Sequence, residues 1–138
     1  MGADSQWAVQ DAITTALKAD STLTTKLASG SASILEAVPA SPTYALVVVG
    51  KAEAKRDDTM SDDGMSQIVH IETYSDSSSM QAAKEIMAAI YDVLHDAALT
   101  VTGHTLVLLH FTESLIEIDA TDTTRRKGVQ QFQVITHP

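Results

Sequence analysis

A chain of 138 residues, 44% hydrophobic and 20% charged, carries enough apolar material for one core that buries about two thirds of its unfolded surface; only three prolines argue against a disordered or collagen-like chain. Eighteen acidic against nine basic residues give a formal charge of −9, which disfavours binding a phosphate backbone through counterion release. The absence of cysteine excludes disulfide frameworks, thiol nucleophiles and thiolate zinc sites.

Met1 to Gln6 has neither the basic start nor the apolar core of a signal peptide, and Gln6 stands where a myristoylation motif wants Ser or Thr. The strongest apolar run, Ala45 to Val49, falls far short of the roughly 20 residues that cross a bilayer, so no membrane association is expected. From Asp4 or Ser5, either able to cap a helix, to about Lys18, the residues Val9, Ala12, Ile13, Ala16 and Leu17 recur at helical spacing and predict a first helix. Asp20 and Ser21 then cap a short turn carrying Leu23 and Leu27, ended by Ser29-Gly30-Ser31. Ile34, Leu35 and Val38 read as an extended segment stopped by Pro39 and Pro42.

Tyr44 to Val49 reads as a buried strand whose continuation, Gly50 to Arg56, is polar at alternate positions and runs out toward solvent. Asp57 to Gly64 is an acidic loop, and Gln67 to Tyr74, rich in β-branched and aromatic residues, returns as the second arm of a long hairpin. Ser75 to Ser79 supplies caps for a second helix, with Ala83, Ile86, Met87, Ile90, Val93, Leu94 and Ala97 as its apolar stripe. At about 17 residues this helix would span roughly 25 Å, enough to cover a sheet. Thr105 to Phe111 and Leu115 to Asp119 form one bent strand or two; after the loop Ala120 to Lys127, the strand Gly128 to Thr136 closes a second hairpin, with Phe132 and Val134 on one face. The order predicts an α+β fold: a mixed, mainly antiparallel sheet of two long hairpins with two main helices packed on one face, residues 1–138 forming a single domain.

Catalytic and cofactor patterns fail on spacing. Aligning Gly64 with the glycine of a calcium loop puts Thr59, Ser61 and His70 at ligand positions, and only Asp63 fits. His70, His95, His104, His110 and His137 contain no HExxH pair; His104 and His110, separated by an even number, share a strand face, where hydrogen-bonded histidines are the ordinary reading. There is no GxSxG elbow, no phosphate-binding glycine loop and no GxGxxG. No catalytic, cofactor-binding or metal-ligating residue is assigned, and no cofactor is expected.

A charge contrast between the hairpin tips is the more informative feature. Asp57, Asp58, Asp62 and Asp63 mark one tip, and Arg125, Arg126 and Lys127 the other. Both can be ordinary solvated loops, since exposed ion pairs contribute little. The sharper reading is assembly: one subunit's acidic tip meets the next subunit's basic tip in a heterologous contact that closes into a ring, with edge strands adding further contacts. These seven residues are the candidate subunit or tail interface.

Taken together, Val9 to Asp20, Leu23 and Leu27, and the passage from Val38-Pro39 through Pro42-Thr43-Tyr44 to an apolar strand ending at Gly50 resemble the tail terminator, or tail completion, proteins of long-tailed phages and gene transfer agents. Ile90 to Leu99 followed by Gly103, and Thr124 to Phe132, look like that family's second helix end and final strand. The resemblance covers nearly the whole chain in order; it departs at Thr43-Tyr44-Ala45, where the family tends to place an aromatic directly after the proline.

What the resemblance implies is structural, not enzymatic: a hexameric ring at the head-proximal end of the tail, made in the bacterial cytoplasm and built into the virion. It ends polymerisation of the tail tube protein and meets the head-tail connector or stopper protein. DNA would pass through the lumen without specific binding. Six spheres of roughly 37 Å diameter, the size expected for this chain, leave a central hole wide enough for a duplex of about 20 Å. The alternatives are another neck or tail ring component, such as a stopper or tube subunit, and a small acidic ligand-binding domain.

Overall fold

The first helix, α1 (Gln6–Ala19), forms where the apolar spacing predicts it and buries Val9, Ile13 and Leu17 on successive turns. The computed structural model describes residues 4–56 and 64–138. Of the two predicted caps, Asp4 does the work: its Oδ1 accepts from the Gln6 backbone N–H at 3.1 Å. Ser5 instead turns inward, fully buried, with its Oγ 2.6 Å from Thr136 Oγ1 and accepting from Gln67 Nε2 at 3.2 Å. It pins the start of the helix to the sheet. Asp20 caps the one-turn helix α2 (Ser21–Thr24) through the Leu23 N–H, burying Leu23.

After a 3-10 turn at Gly30–Ser33 come β1 (Ile34–Leu35), β2 (Leu46–Arg56), β3 (Met65–Ser75), α3 (Met80–Leu94), β4 (Thr105–Ile118) and β5 (Arg126–His137). The sheet order is β1-β2-β3-β5-β4, with β1 parallel to β2 and every other pair antiparallel. The α+β expectation and the two hairpins hold; the two-residue parallel strand is the mixed element.

Ser79 accepts from the Gln81 N–H to start α3, which buries Ala83, Ile86, Met87, Ala89, Ile90 and Leu94. These side chains and those of α1 meet Val47, Val49, Val69, Ile71, Leu109, Phe132 and Val134 from one face of the sheet. Phe132, fully buried, packs edge-on against Phe111, which in turn meets the Tyr91 ring edge-on. The segment from Thr105 onward is one continuous bent strand: register shifts at Leu106/Leu108 and Phe111/Glu113 absorb the bend. The alternation breaks where sequence alone left one strand or two.

Candidate functional site and the charged turn

Arg56 pairs with Met65 at one end of the sheet, and Ser75 pairs with Arg126 at the other, ten residues away along β3, or about 34 Å. The two hairpin ends therefore lie at opposite ends of the strands. Asp57, Asp58, Asp62 and Asp63 fall outside the described residues. Arg125, Arg126 and Lys127 are described and half-buried, and each is engaged within its own chain.

The β4–β5 turn is built around Arg125. Its two Nη atoms reach Asp119 Oδ2 at 3.1 Å and Asp122 Oδ2 at 3.3 Å, and its guanidinium lies 3.8 Å from the centroid of the Tyr44 ring. Asp119 Oδ1 takes the Thr121 N–H and hydroxyl, and Asp122 Oδ1 takes those of Thr124. The Thr121 N–H holds Asp119 below the ordinary carboxylate range against the cost of burial, aided by the Thr121 hydroxyl and Arg125. The Thr124 hydroxyl, then its N–H, do the same for Asp122. Arg126 donates to the carbonyls of Thr123 and Arg125.

Lys127 points along the sheet face away from the helices to Glu72 Oε2 at 3.1 Å, with Tyr74 donating to the same oxygen at 3.3 Å. The Glu72 hydrogen bond raises the Lys127 pKa, while burial and then Glu72 raise that of Tyr74. Three cations thus share the turn with Asp119, Asp122 and Glu72. What the sequence presents as a basic tip is a locally neutral, hydrogen-bonded cluster, and Asp119 and Asp122, six and three positions upstream of Arg125, were the visible signal.

His110 does not pair with His104. His104 lies in the turn before β4, its N–H bonded to Val101 O, while His110 meets His95 at 5.1 Å between rings and Asp96 Oδ1 at 3.7 Å. Asp96 sits in the left-handed region at φ 56, just past α3, with its N–H on Leu109 O. His95, Asp96 and His110 converge like metal ligands among the described residues. The hydrogen bonding opposes that use. The Phe111 N–H donates to His95 Nδ1 at 3.2 Å, so in the neutral ring the proton sits on Nε2, which faces Asp96 Oδ2 at 3.2 Å with no free lone pair. The trio reads as a hydrogen-bonded clasp between α3 and β4. His70, which a calcium loop would need as its last ligand, lies mid-strand in β3.

The family described as tail completion protein gp17 matches residues 11–137. The fold is that of a chain in the virion of a native gene transfer agent particle, with a TM-score of 0.88 and 22% identity over 99% of this chain and 100% of that one. No curated protein matches the sequence. The chain belongs to the tail completion protein gp17 family, a structural family, and is not an enzyme.

Proposed function

We propose that the protein forms a hexameric ring at the head-proximal end of the tail tube, ends tube polymerisation and joins the tail to the head-tail connector or stopper. The observation that carries this reading is the family match along residues 11–137. Likeness over the full length to a gene transfer agent virion chain supports placing it in the virion, in a phage or a gene transfer agent. The formal charge of −9 suits a conduit that DNA crosses without sticking.

The interface residues enter this proposal with a geometric consequence. In a ring of like-oriented subunits whose strands run along the axis, the Arg56–Met65 end of the sheet and the turn carrying Arg125, Arg126 and Lys127 lie toward opposite axial ends. We assign them to axial partners, the tube on one side and the connector on the other, or to the facing level of a second ring. Arg125 ties two carboxylates into the turn whereas Arg126 donates to two backbone carbonyls, so Arg126→Glu is the less disruptive reversal there.

The test is the length distribution of tails, by negative-stain microscopy, in a lysate lacking this gene, with and without the purified protein. Overlong or headless tails corrected by addition support termination. Normal, attached tails without the gene overturn it.

A further inference from the structure

The sheet has two open edges. β4, 14 residues long, has β5 on one side only. β2 is flanked by β1 only at Val47 and Val48, so among the described residues no strand lies outside it from Lys51 to Arg56. Long exposed edges are templates for another strand, and neither is blunted by proline. From β2 to β3, β5 and β4 the strands alternate in direction. A second copy in the same orientation therefore brings its β2 antiparallel to β4.

The charges on the two edges are complementary. Lys51 and Lys55 are exposed on β2, and Glu113 and Glu117 are exposed on β4, each pair four residues apart; among the described residues none of the four makes an ion pair. They share a face: Lys51, His70, Gln131 and Glu113 are successive cross-strand partners. Only one antiparallel register that keeps faces matched joins both pairs, setting Lys51 of one copy opposite Glu117 of the other and Lys55 opposite Glu113. Pairing β4 with β4, or β2 with β2, sets like charges against each other.

The same register fits the apolar surface on the helix face. Ile116, opposite Gly128, and Ile118 lie on that face with Ser114, whose partner Gln130 donates to Met87 O. In the second copy Ile116 comes level with Ala52, beside a hollow of about 230 Å³ lined by Trp7, Gln10, Gly50 and Ala52, and Ile118 reaches the end of the open edge, where the Glu36 backbone packs against Gly50. Trp7 is 65% exposed and Ile118 50%, and the contact would cover both. The register displaces successive copies by four residues over four strands. One residue per strand is the stagger of a closed sheet whose strands tilt by about 36°.

We propose that this chain self-associates head to tail by adding the β2 edge of one copy to the β4 edge of the next, in the register Lys51–Glu117 and Lys55–Glu113. The proposal deepens the ring reading above by naming its lateral contact. The absence of native cysteine makes the test clean. Opposed antiparallel residues lie about 4.5–5.5 Å apart at Cα, within disulfide range. Mild oxidation of tails carrying the Lys51→Cys/Glu117→Cys variant should give a ladder on non-reducing gels that passes the dimer, while neither single variant gives one.

Monomer alone, in tails shown by blotting to contain the variant, overturns the contact, as does a ladder from Lys51→Cys/Glu113→Cys in its place. If tails form normally without the gene, termination fails on its own, and the same oxidation of the concentrated purified chain still decides the contact, a ladder supporting it and monomer overturning it. Glu113→Lys/Glu117→Lys should weaken self-association about tenfold, and adding Lys51→Glu/Lys55→Glu should restore it.

Discussion

Gly128 sits in the middle of the sheet, paired with Thr73 on β3 and Ile116 on β4, beneath α3. A Cβ there would lie 2.3 Å from Met87 Sδ, about 1.1 Å inside the 3.4 Å at which ordinary contact begins, and 3.1 Å from Met87 Cε. Met87 is itself mostly buried and lines a hollow of about 370 Å³ with Tyr91, Ile116 and Gln130, so its side chain must leave its packed position and swing toward that space. Overpacking of this kind costs about 1–3 kcal/mol, partly offset by the roughly 0.5–1 kcal/mol that alanine gains over glycine in a strand. Gly128→Ala should therefore destabilise by about 1–2 kcal/mol, lowering the melting temperature by about 3–6 °C for a chain of this length. The sign should reverse in a Met87→Ala background. That change leaves a cavity costing about 2–5 kcal/mol, into which the methyl added by Gly128→Ala fits, so the second substitution becomes neutral or stabilising by up to about 1 kcal/mol. Urea unfolding of the four proteins at one concentration, extrapolated to water, closes the cycle. Equal destabilisation by Gly128→Ala in both backgrounds would falsify the collision with Met87, and no effect in the native background would show that Met87 yields freely.

Phe132→Ala removes the ring that joins the aromatic chain to the core and should cost about 3–5 kcal/mol, read as a matching fall in the urea midpoint; a loss under about 1 kcal/mol would mean the site collapses around the gap. Ser79→Ala removes the cap of α3 and should cost about 1 kcal/mol, with helical circular dichroism retained at room temperature. In acid, the lowered pKa values of Asp119 and Asp122 stabilise the folded state above their unfolded value of about 3.9, and that stability is lost as the pH falls through the lower folded values. Asp119→Asn should flatten stability against pH below about 4, and an unchanged slope would remove Asp119 from the account. At the alkaline end, the raised pKa values of Lys127 and Tyr74 stabilise the fold below about pH 10, and this is lost as the pH rises through the folded values; Glu72→Gln should move that loss to lower pH.

Elements with a strong local period were legible in the chain. Val9, Ile13 and Leu17 on one helix face, the Asp20 cap and the Ser79 cap each depend on neighbours a few residues away, and the structure places them as the spacing implies. What the spacing could not carry is partnership across the sheet. Ser5 looks like a cap, but Thr136, 131 positions on, claims its hydroxyl. Arg125 and Lys127 look like free charge until Asp119, Asp122 and Glu72 are brought beside them. His104 and His110 share parity in the sequence, but His104 precedes β4 and the bulge at Leu106/Leu108 breaks the alternation between them. The equal spacing of Lys51 with Lys55 and of Glu113 with Glu117 was visible in the letters. Its meaning depends on a sheet order that places those strands at opposite edges.

That sheet order also separates the work of assembly. In the proposed ring, lateral contact between like subunits needs two different surfaces that face opposite ways around the axis, and the β2 and β4 edges, on opposite sides of the sheet and oppositely charged, meet that need. In the same proposal axial contact falls to the strand ends, where Arg125 ties the β4–β5 turn together through two aspartates. A turn whose charges are already paired presents shape and hydrogen-bonding backbone instead of a bare positive field, so its partner is selected by fit and not by long-range attraction. Raising salt should then weaken the edge contact, which is built on exposed pairs, more than the contact at the turn. The two can be read separately, as cross-linked ladders for the edge and as tail joining for the turn. If salt abolished joining while leaving the ladders intact, the assignment of steering charge to the edges and fixed shape to the turn would be reversed.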